Sequence, residues 1–222
     1  PNPTNWAKVA IRIATLFGIF AKLDQPGYQL TDIVVTTDDF STPMAAWYAK
    51  QMGLPVGTIL CACNENGAVW DLMHRGVLNT GSSIIHTQTP DLDTSVPSGL
   101  ERLIACISNR EEMDAFVSSL RKHTVFQIGE EAFQELKAAF DACVVGSRRI
   151  SNVISNVFKT SKYVMDPYAA ICYGCLQDYR ATSGERRDTV LLADRSPLLY
   201  VQSVAEATGL KQESLESMIR QP

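Results

Sequence analysis

The chain has 222 residues, 45% hydrophobic and 20% charged, with a formal net charge of −4. Such a chain is long enough to bury a core without disulfides or a structural metal. Its negative balance excludes a general binder of phosphate backbones, so nucleic acid is not an expected partner.

The opening residues carry no basic start followed by a cleavable apolar core, so the expected compartment is cytoplasmic. Val9 to Leu23 is the most apolar stretch, but Arg12, Gly18 and Lys22 interrupt it and it is too short to span a bilayer. A membrane is therefore not expected either. Trp6, Val9, Ala10, Ile13, Leu16, Phe17 and Phe20 recur at helical intervals, which predicts a helix over Trp6 to Phe20 with Asn5 as its cap. Ile11 and Ile19 add apolar surface on the other side, so this helix is expected to be buried on most faces. A chain that begins so close to a buried element reads as a piece of a longer one.

Gln25-Pro26-Gly27 predicts a turn. Asp32 to Thr36, rich in β-branched residues, predicts a buried strand. Pro43 to Met52 predicts a helix ended by Gly53. Gly57 to Ala62 follows as a strand, Asn66 to Met73 as a helix and Ser82 to His86 as a strand. This alternation implies a parallel sheet with crossover helices. From Ser98 onward the pattern is mainly helical: Leu100 to Ile107, Glu111 to Leu120, Glu130 to Phe140, Ser147 to Lys159 and Asp166 to Tyr179. Thr189 to Ala193 returns as a strand, Ser196-Pro197 opens a helix to Ala207, and Gln212 to Ile219 closes the pattern. The expected class is α/β, an open, mostly parallel sheet with flanking helices and a helix-rich second half. Residues 1–97 would form the α/β part of a large domain, and 98–222 a helix-rich remainder that returns one strand to the sheet.

Six cysteines in a chain of this length do not make a disulfide scaffold. Cys61 and Cys63 should face one side of a strand end with Ala62 on the other, while Cys172 and Cys175 fall within a helix. Small buried thiols are the expected reading. The three histidines, His74, His86 and His123, show no ligand spacing, so no metal site is expected.

Several stretches in order carry a family resemblance. They are Asn2-Pro3-Thr4-Asn5-Trp6-Ala7-Lys8, Trp47-Tyr48-Ala49-Lys50-Gln51-Met52-Gly53-Leu54-Pro55-Val56, and Ala62-Cys63-Asn64-Glu65-Asn66. Thr89-Pro90-Asp91-Leu92-Asp93-Thr94 with Glu101-Arg102-Leu103, and Asp166-Pro167-Tyr168-Ala169-Ala170, complete the set. Together they resemble the carboxyl-terminal portion of threonine synthases and threonine-synthase-like proteins, which are fold type II pyridoxal-phosphate (PLP) enzymes. The resemblance implies conversion of O-phosphohomoserine to threonine and phosphate, with PLP as electron sink. It also implies a Schiff-base lysine, a glycine-rich loop before a helix that holds the cofactor phosphate, and a hydroxyl near the chain's end facing the pyridine nitrogen.

This chain departs from that pattern at each of these parts. The lysine segment belongs upstream of everything present; Phe158-Lys159 is out of order and reads as a surface lysine. The family's Gly-Asn-Phe-Gly falls on Asp38-Asp39-Phe40-Ser41, with both glycines gone. Two carboxylates there would repel a dianionic phosphate, and Asp39 or Ser41 is expected to cap the helix in its place. The carboxyl-terminal contact falls on Asp194, which could instead pair with a protonated pyridine nitrogen. Asn64 and Asn66 match the family best and follow a strand's carboxyl end, where open α/β sheets bind ligands; the alternative is a turn with asparagine caps. Asp93 and Arg102 are candidates for an internal ion pair or for a substrate clamp, and the sequence does not decide between them.

The positions matched to cofactor contacts are thus Asp38, Asp39, Phe40, Ser41, Asn64, Asn66 and Asp194, and the chain alone is expected to be inactive. A missing amino-terminal half or a second copy is the expected partner, with a small-molecule substrate only where the machinery is intact. The alternative is a non-catalytic, degenerate relative kept as a scaffold or partner-binding subunit. A further reading gathers Asp38, Asp39 and Asp194 around a divalent ion.

Overall fold

The structure is a computed structural model that describes residues 5–23, 29–193 and 195–220. Helix α1, Trp6–Phe20, has the expected bounds, and Asn5 Oδ1 accepts a hydrogen bond from Ala7 N at 3.0 Å. Strand β1 (Thr31–Thr36), α2 (Ser41–Gln51), β2 (Val56–Cys63) and α3 (Ala68–Arg75) follow in the predicted order. Gly53 ends α2 at φ +95°, a conformation that glycine adopts without penalty.

A short antiparallel pair comes next, β3 (Val77–Asn79) with β4 (Val125–Gln127). Between them lie α4 (Leu100–Ile107) and α5 (Arg110–Lys122). The chain continues through α6 (Glu130–Ala139), β5 (Phe140–Val144), α7 (Ser147–Ser161), α8 (Pro167–Ser183) and β6 (Thr189–Leu192). A 3₁₀ turn at Pro197–Tyr200 leads into α9 (Val201–Thr208) and α10 (Gln212–Arg220). The Gln25-Pro26-Gly27 turn lies outside the described residues.

The main sheet has the order β5-β2-β1-β6, and every neighbouring pair is parallel. Both faces are covered, so β1 and β2 read as continuous apolar runs. Ile33, Val35, Ile59 and Cys61 face the layer of α1 to α6, and Val34, Leu60 and Ala62 face the layer of α7 to α10. Cys61 and Cys63 therefore share a face opposite Ala62, and Cys172 and Cys175 are buried in α8. Burial pushes the Cys61 thiol up and the Cys63 thiol up to about 12, which makes both poor nucleophiles near neutral pH.

At the amino ends of the strands Asp32 accepts from Thr58 N at 2.7 Å and lies 3.3 Å from Arg187. A Cβ on Gly57 would stand 2.3 Å from the Asp32 carboxylate, which explains a glycine inside a strand. No helix among the described residues is long and apolar enough to cross a membrane.

Three expectations are corrected. Ser82 to His86 is not a strand; the segment is irregular and Ile84 and Ile85 are exposed. Phe140 does not end α6 but opens β5, the neighbour of β2. Helix α1 is not buried on most faces: only Val9 and Leu16 are buried, whereas Trp6, Ile11 and Phe17 are 52%, 67% and 37% exposed.

Candidate functional site

The carboxyl ends of β1, β2 and β6 share one rim of the parallel sheet, the position where open α/β sheets take ligands. The loop from Thr37 to Phe40 leaves β1 there and enters α2 at Ser41. Its backbone is pinned by Phe40 N, which donates to Ser98 O at 2.9 Å.

The two carboxylates of this loop have separate partners. Asp38 accepts from the Thr36 hydroxyl at 2.8 Å and from Arg195 Nη2 at 2.7 Å. Asp39 accepts from Ser41 N at 2.8 Å and pairs through its other oxygen with Lys8 Nζ. Burial works to raise the Asp39 carboxyl, but the Lys8 ammonium and the Ser41 amide outweigh it and hold the group below the ordinary aspartate value. Asp39 thus engages the first amide of α2 from one residue before the N-cap, Phe40, which has no side-chain cap of its own. The carboxylates are neutralised by the chain's own cations and do not stand at the rim as bare charges. Because Asp38 and Asp39 are held by different cations, they do not converge on one centre.

Arg195 ties the rim together. Its guanidinium also pairs with Asp91, meets the Tyr200 hydroxyl at 3.2 Å and lies 4.1 Å from the centroid of the Tyr168 ring. Burial opposes its charge, yet Tyr200, Asp38 and Asp91 together raise its pKa above the ordinary arginine value. Tyr168 is itself buried, and burial pushes its hydroxyl up, so it stays protonated. Neither Arg195 nor Tyr168 stood out in the sequence as a site residue. The signal lay in Arg195 following the matched Asp194.

Phe40 is fully buried, with its ring 6.3 Å from that of Phe140, and faces the core instead of the rim. Ser41 is fully buried, and its hydroxyl finds no hydrogen-bond partner among the described residues. Asp194 lies outside the described residues. Beside the rim is a cavity of about 330 Å³ between α1 and β6, lined by Arg12, Thr15, Thr36, Asp38 and Thr42 among others.

The asparagine loop after β2 is a closed network. Asn64 Nδ2 donates to Asp93 at 2.7 Å and to the Thr87 hydroxyl at 2.9 Å, and Asn64 Oδ1 accepts from Asn66 N at 2.9 Å. Asn66 accepts from Ile85 N and donates to Ile85 O, both at 2.8 Å. Asp93 also accepts from Thr87 N at 2.8 Å, so its carboxylate is engaged by the neutral donors Asn64, Asn66 and Thr87. Glu65 accepts from Ser147 N at 2.6 Å and so caps α7. Lys159 is exposed near the end of α7, as a surface lysine should be.

A phosphate held at the α2 amino terminus needs free N–H donors and a loop that lets it approach. Here the Ser41 amide is taken by Asp39, the Phe40 amide by Ser98, and Asp38 and Ser41 stand where the resembled loop has glycines. The residues present do not fit a PLP phosphate at this position.

No protein-family model matches the chain. Threonine synthase of Eremothecium gossypii is 26% identical over 93% of this chain and 43% of its own length. Threonine synthase of Pseudomonas aeruginosa is 26% identical over 93% of this chain and 44% of its own. The human threonine synthase-like 1 protein is 25% identical over 77% of this chain and 24% of its own. PLP-bound threonine synthase from Brucella melitensis superimposes with a TM-score of 0.86 at 22% identity, over 100% of this chain and 48% of that one, which establishes the fold. The yeast threonine synthase gives a TM-score of 0.85 at 20% identity, over 94% and 44%. The chain therefore spans about half the length of the threonine synthases it matches, the share that a carboxyl-terminal portion would give. By sequence across nearly its whole length and by fold, it is a relative of the threonine synthases and threonine-synthase-like proteins.

Proposed function

We propose that this chain is a non-catalytic threonine-synthase-like polypeptide that does not hold PLP by itself and serves as a scaffold or partner-binding subunit. The observation that carries this reading is the occupation of the Ser41 amide by the Asp39 carboxylate, with Lys8 and Arg195 locking the loop. An anion entering there must displace a carboxylate from two favourable partners. At an effective dielectric constant of 20, each unit charge left about 4 Å from the phosphate opposes it by about 4 kcal/mol. Among the described residues the lysine at the rim, Lys8, is committed to Asp39.

PLP titrated into the protein at micromolar concentration, followed by visible absorption, should give no saturable change. The double variant Asp38→Gly, Asp39→Asn should bind inorganic phosphate at least tenfold more tightly than the parent. Saturable PLP binding by the unaltered chain overturns the reading.

A second reading is favoured by the half-length match. In it, another half supplies a lysine and restores the family reaction. Phosphate release from O-phosphohomoserine by a complex with such a half would select it.

A further inference from the structure

In the layer opposite α1 to α6, helices α7 and α8 leave an open groove of about 440 Å³ between them. Helix α7 contributes Arg149, Val153 and Val157, four residues apart and so on one face. Helix α8 contributes Tyr173, Gln177 and Ala181 at the same spacing, with Arg180 beside them. Arg186, just past the end of α8, lines the groove as well. The rim is elsewhere: Arg180 reaches Thr189, the first residue of β6, whereas the rim lies at the strands' carboxyl ends.

Three of the described lining residues are arginines and none is acidic, in a chain whose net charge is −4. Their anchoring matters more than their number. Arg180 Nη2 donates to Arg187 O at 2.8 Å and to the Thr189 hydroxyl at 3.2 Å. Arg186 Nη1 donates to Arg180 O at 2.8 Å and to Glu185 O at 2.7 Å. Both guanidiniums are thus held by neutral oxygens, which position a positive charge without cancelling it. The nearby acids are engaged by Arg187: Asp32, which also feels Arg180, at 3.3 Å, and Glu185 at 2.6 Å. Of the three lining arginines, Arg149 has an acid partner, Asp178 at 3.2 Å, and its Nη2 also donates to Gln177 Oε1 at 2.9 Å. Each guanidinium carries five N–H groups and makes these bonds through one terminal nitrogen.

From this groove we infer a binding site for a small aliphatic di- or tricarboxylate, independent of the rim and of the function proposed above. A planar carboxylate matches the fork of a guanidinium, two oxygens to two N–H groups. Three guanidiniums delivered by two helices and a loop suit negative charges spread along a carbon chain. A single phosphoryl group is better served by converging backbone amides at a helix amino terminus or in a nest. Here the walls are side chains, and the amides of Val153, Val157, Tyr173 and Gln177 lie inside α7 and α8, where the helices use them. Val153, Val157 and Ala181 offer apolar surface to the carbon chain, and the volume is of the size that small-molecule sites have.

The test is calorimetric titration of the unaltered chain with citrate, and separately with acetate and inorganic phosphate, at constant ionic strength. Citrate should bind saturably and at least tenfold more tightly than either of the others. Arg149→Gln and Arg186→Gln, both at exposed positions, should each weaken citrate at least fivefold while the variant chain keeps its melting temperature. Lys159→Gln, which removes a charge from α7 outside the groove, should change the affinity less than twofold. In ¹⁵N-correlated spectra the amides of Val157 and Ala181 should move with citrate and that of Ser41 should not. Absence of saturable citrate binding overturns the inference, as does binding that ignores both arginine variants. Phosphate that binds as tightly as citrate also overturns it, because the groove is then a general anion patch. Either failure leaves the closed loop at Ser41 standing, since that loop is read by a different amide.

Discussion

Asp39 holds three things at once: the first turn of α2, the Lys8 ammonium and the place a phosphate would take. Its acid has a folded pKa below the ordinary 3.8, the net result of burial that raises it and of Lys8 and Ser41 that lower it more. A depressed carboxyl stabilises the fold above its unfolded pKa, and that contribution is lost as pH falls through the folded value. Asp39→Ala should therefore lower stability by about 1 kcal/mol at neutral pH, the usual size of a lost helix cap. The two proteins should converge once both carboxyls are protonated, in denaturant melts across an acid series; a difference that persists unchanged at the lowest pH would rule out the charge as its source. The loss of both glycines at Asp38 and Ser41 was legible in the sequence. The cations that neutralise the loop were not, because Lys8 and Arg195 are 31 and 157 residues from the aspartates they meet and only the fold brings them there.

Elements with a strong period were readable from residue spacing alone. Helix α4 and helix α1 have the predicted bounds, and Gly53 stops α2 where a left-handed residue is needed. Strand β5 was hidden because Phe140 continues the helical spacing of α6 with no breaker between them; its strand state comes from pairing with β2, which is a tertiary effect. The opposite error at Ser82 to His86 has a local cause. Ile84-Ile85 has high strand propensity, but the amide and carbonyl of Ile85 are satisfied by the Asn66 side chain, which does the work of a neighbouring strand. Asn66→Ala should free both groups, cost about 1–2 kcal/mol of local stability and speed exchange of the Ile85 amide about tenfold or more. Unchanged exchange at Ile85 would show that something else orders the segment. The outward face of α1 was misjudged for a similar reason: periodicity reports which residues are apolar, not whether this chain holds the surface that covers them.

At the scale of the molecule, the chain shares the fold of the threonine synthases it superimposes on. The parallel sheet carries buried helical layers on both faces, and the loop into α2 is closed by its own ion pairs. A fold can be retained while the site placed on it changes. The amide of Ser41 is where this picture is most exposed to test. Its resonance in a ¹⁵N-correlated NMR spectrum should not move when PLP or inorganic phosphate is added to the unaltered chain, and it should move saturably in the Asp38→Gly, Asp39→Asn variant. A saturable shift of Ser41 and Phe40 in the unaltered chain would mean that an anion does settle at the head of α2, and the closed-loop reading would have to be given up.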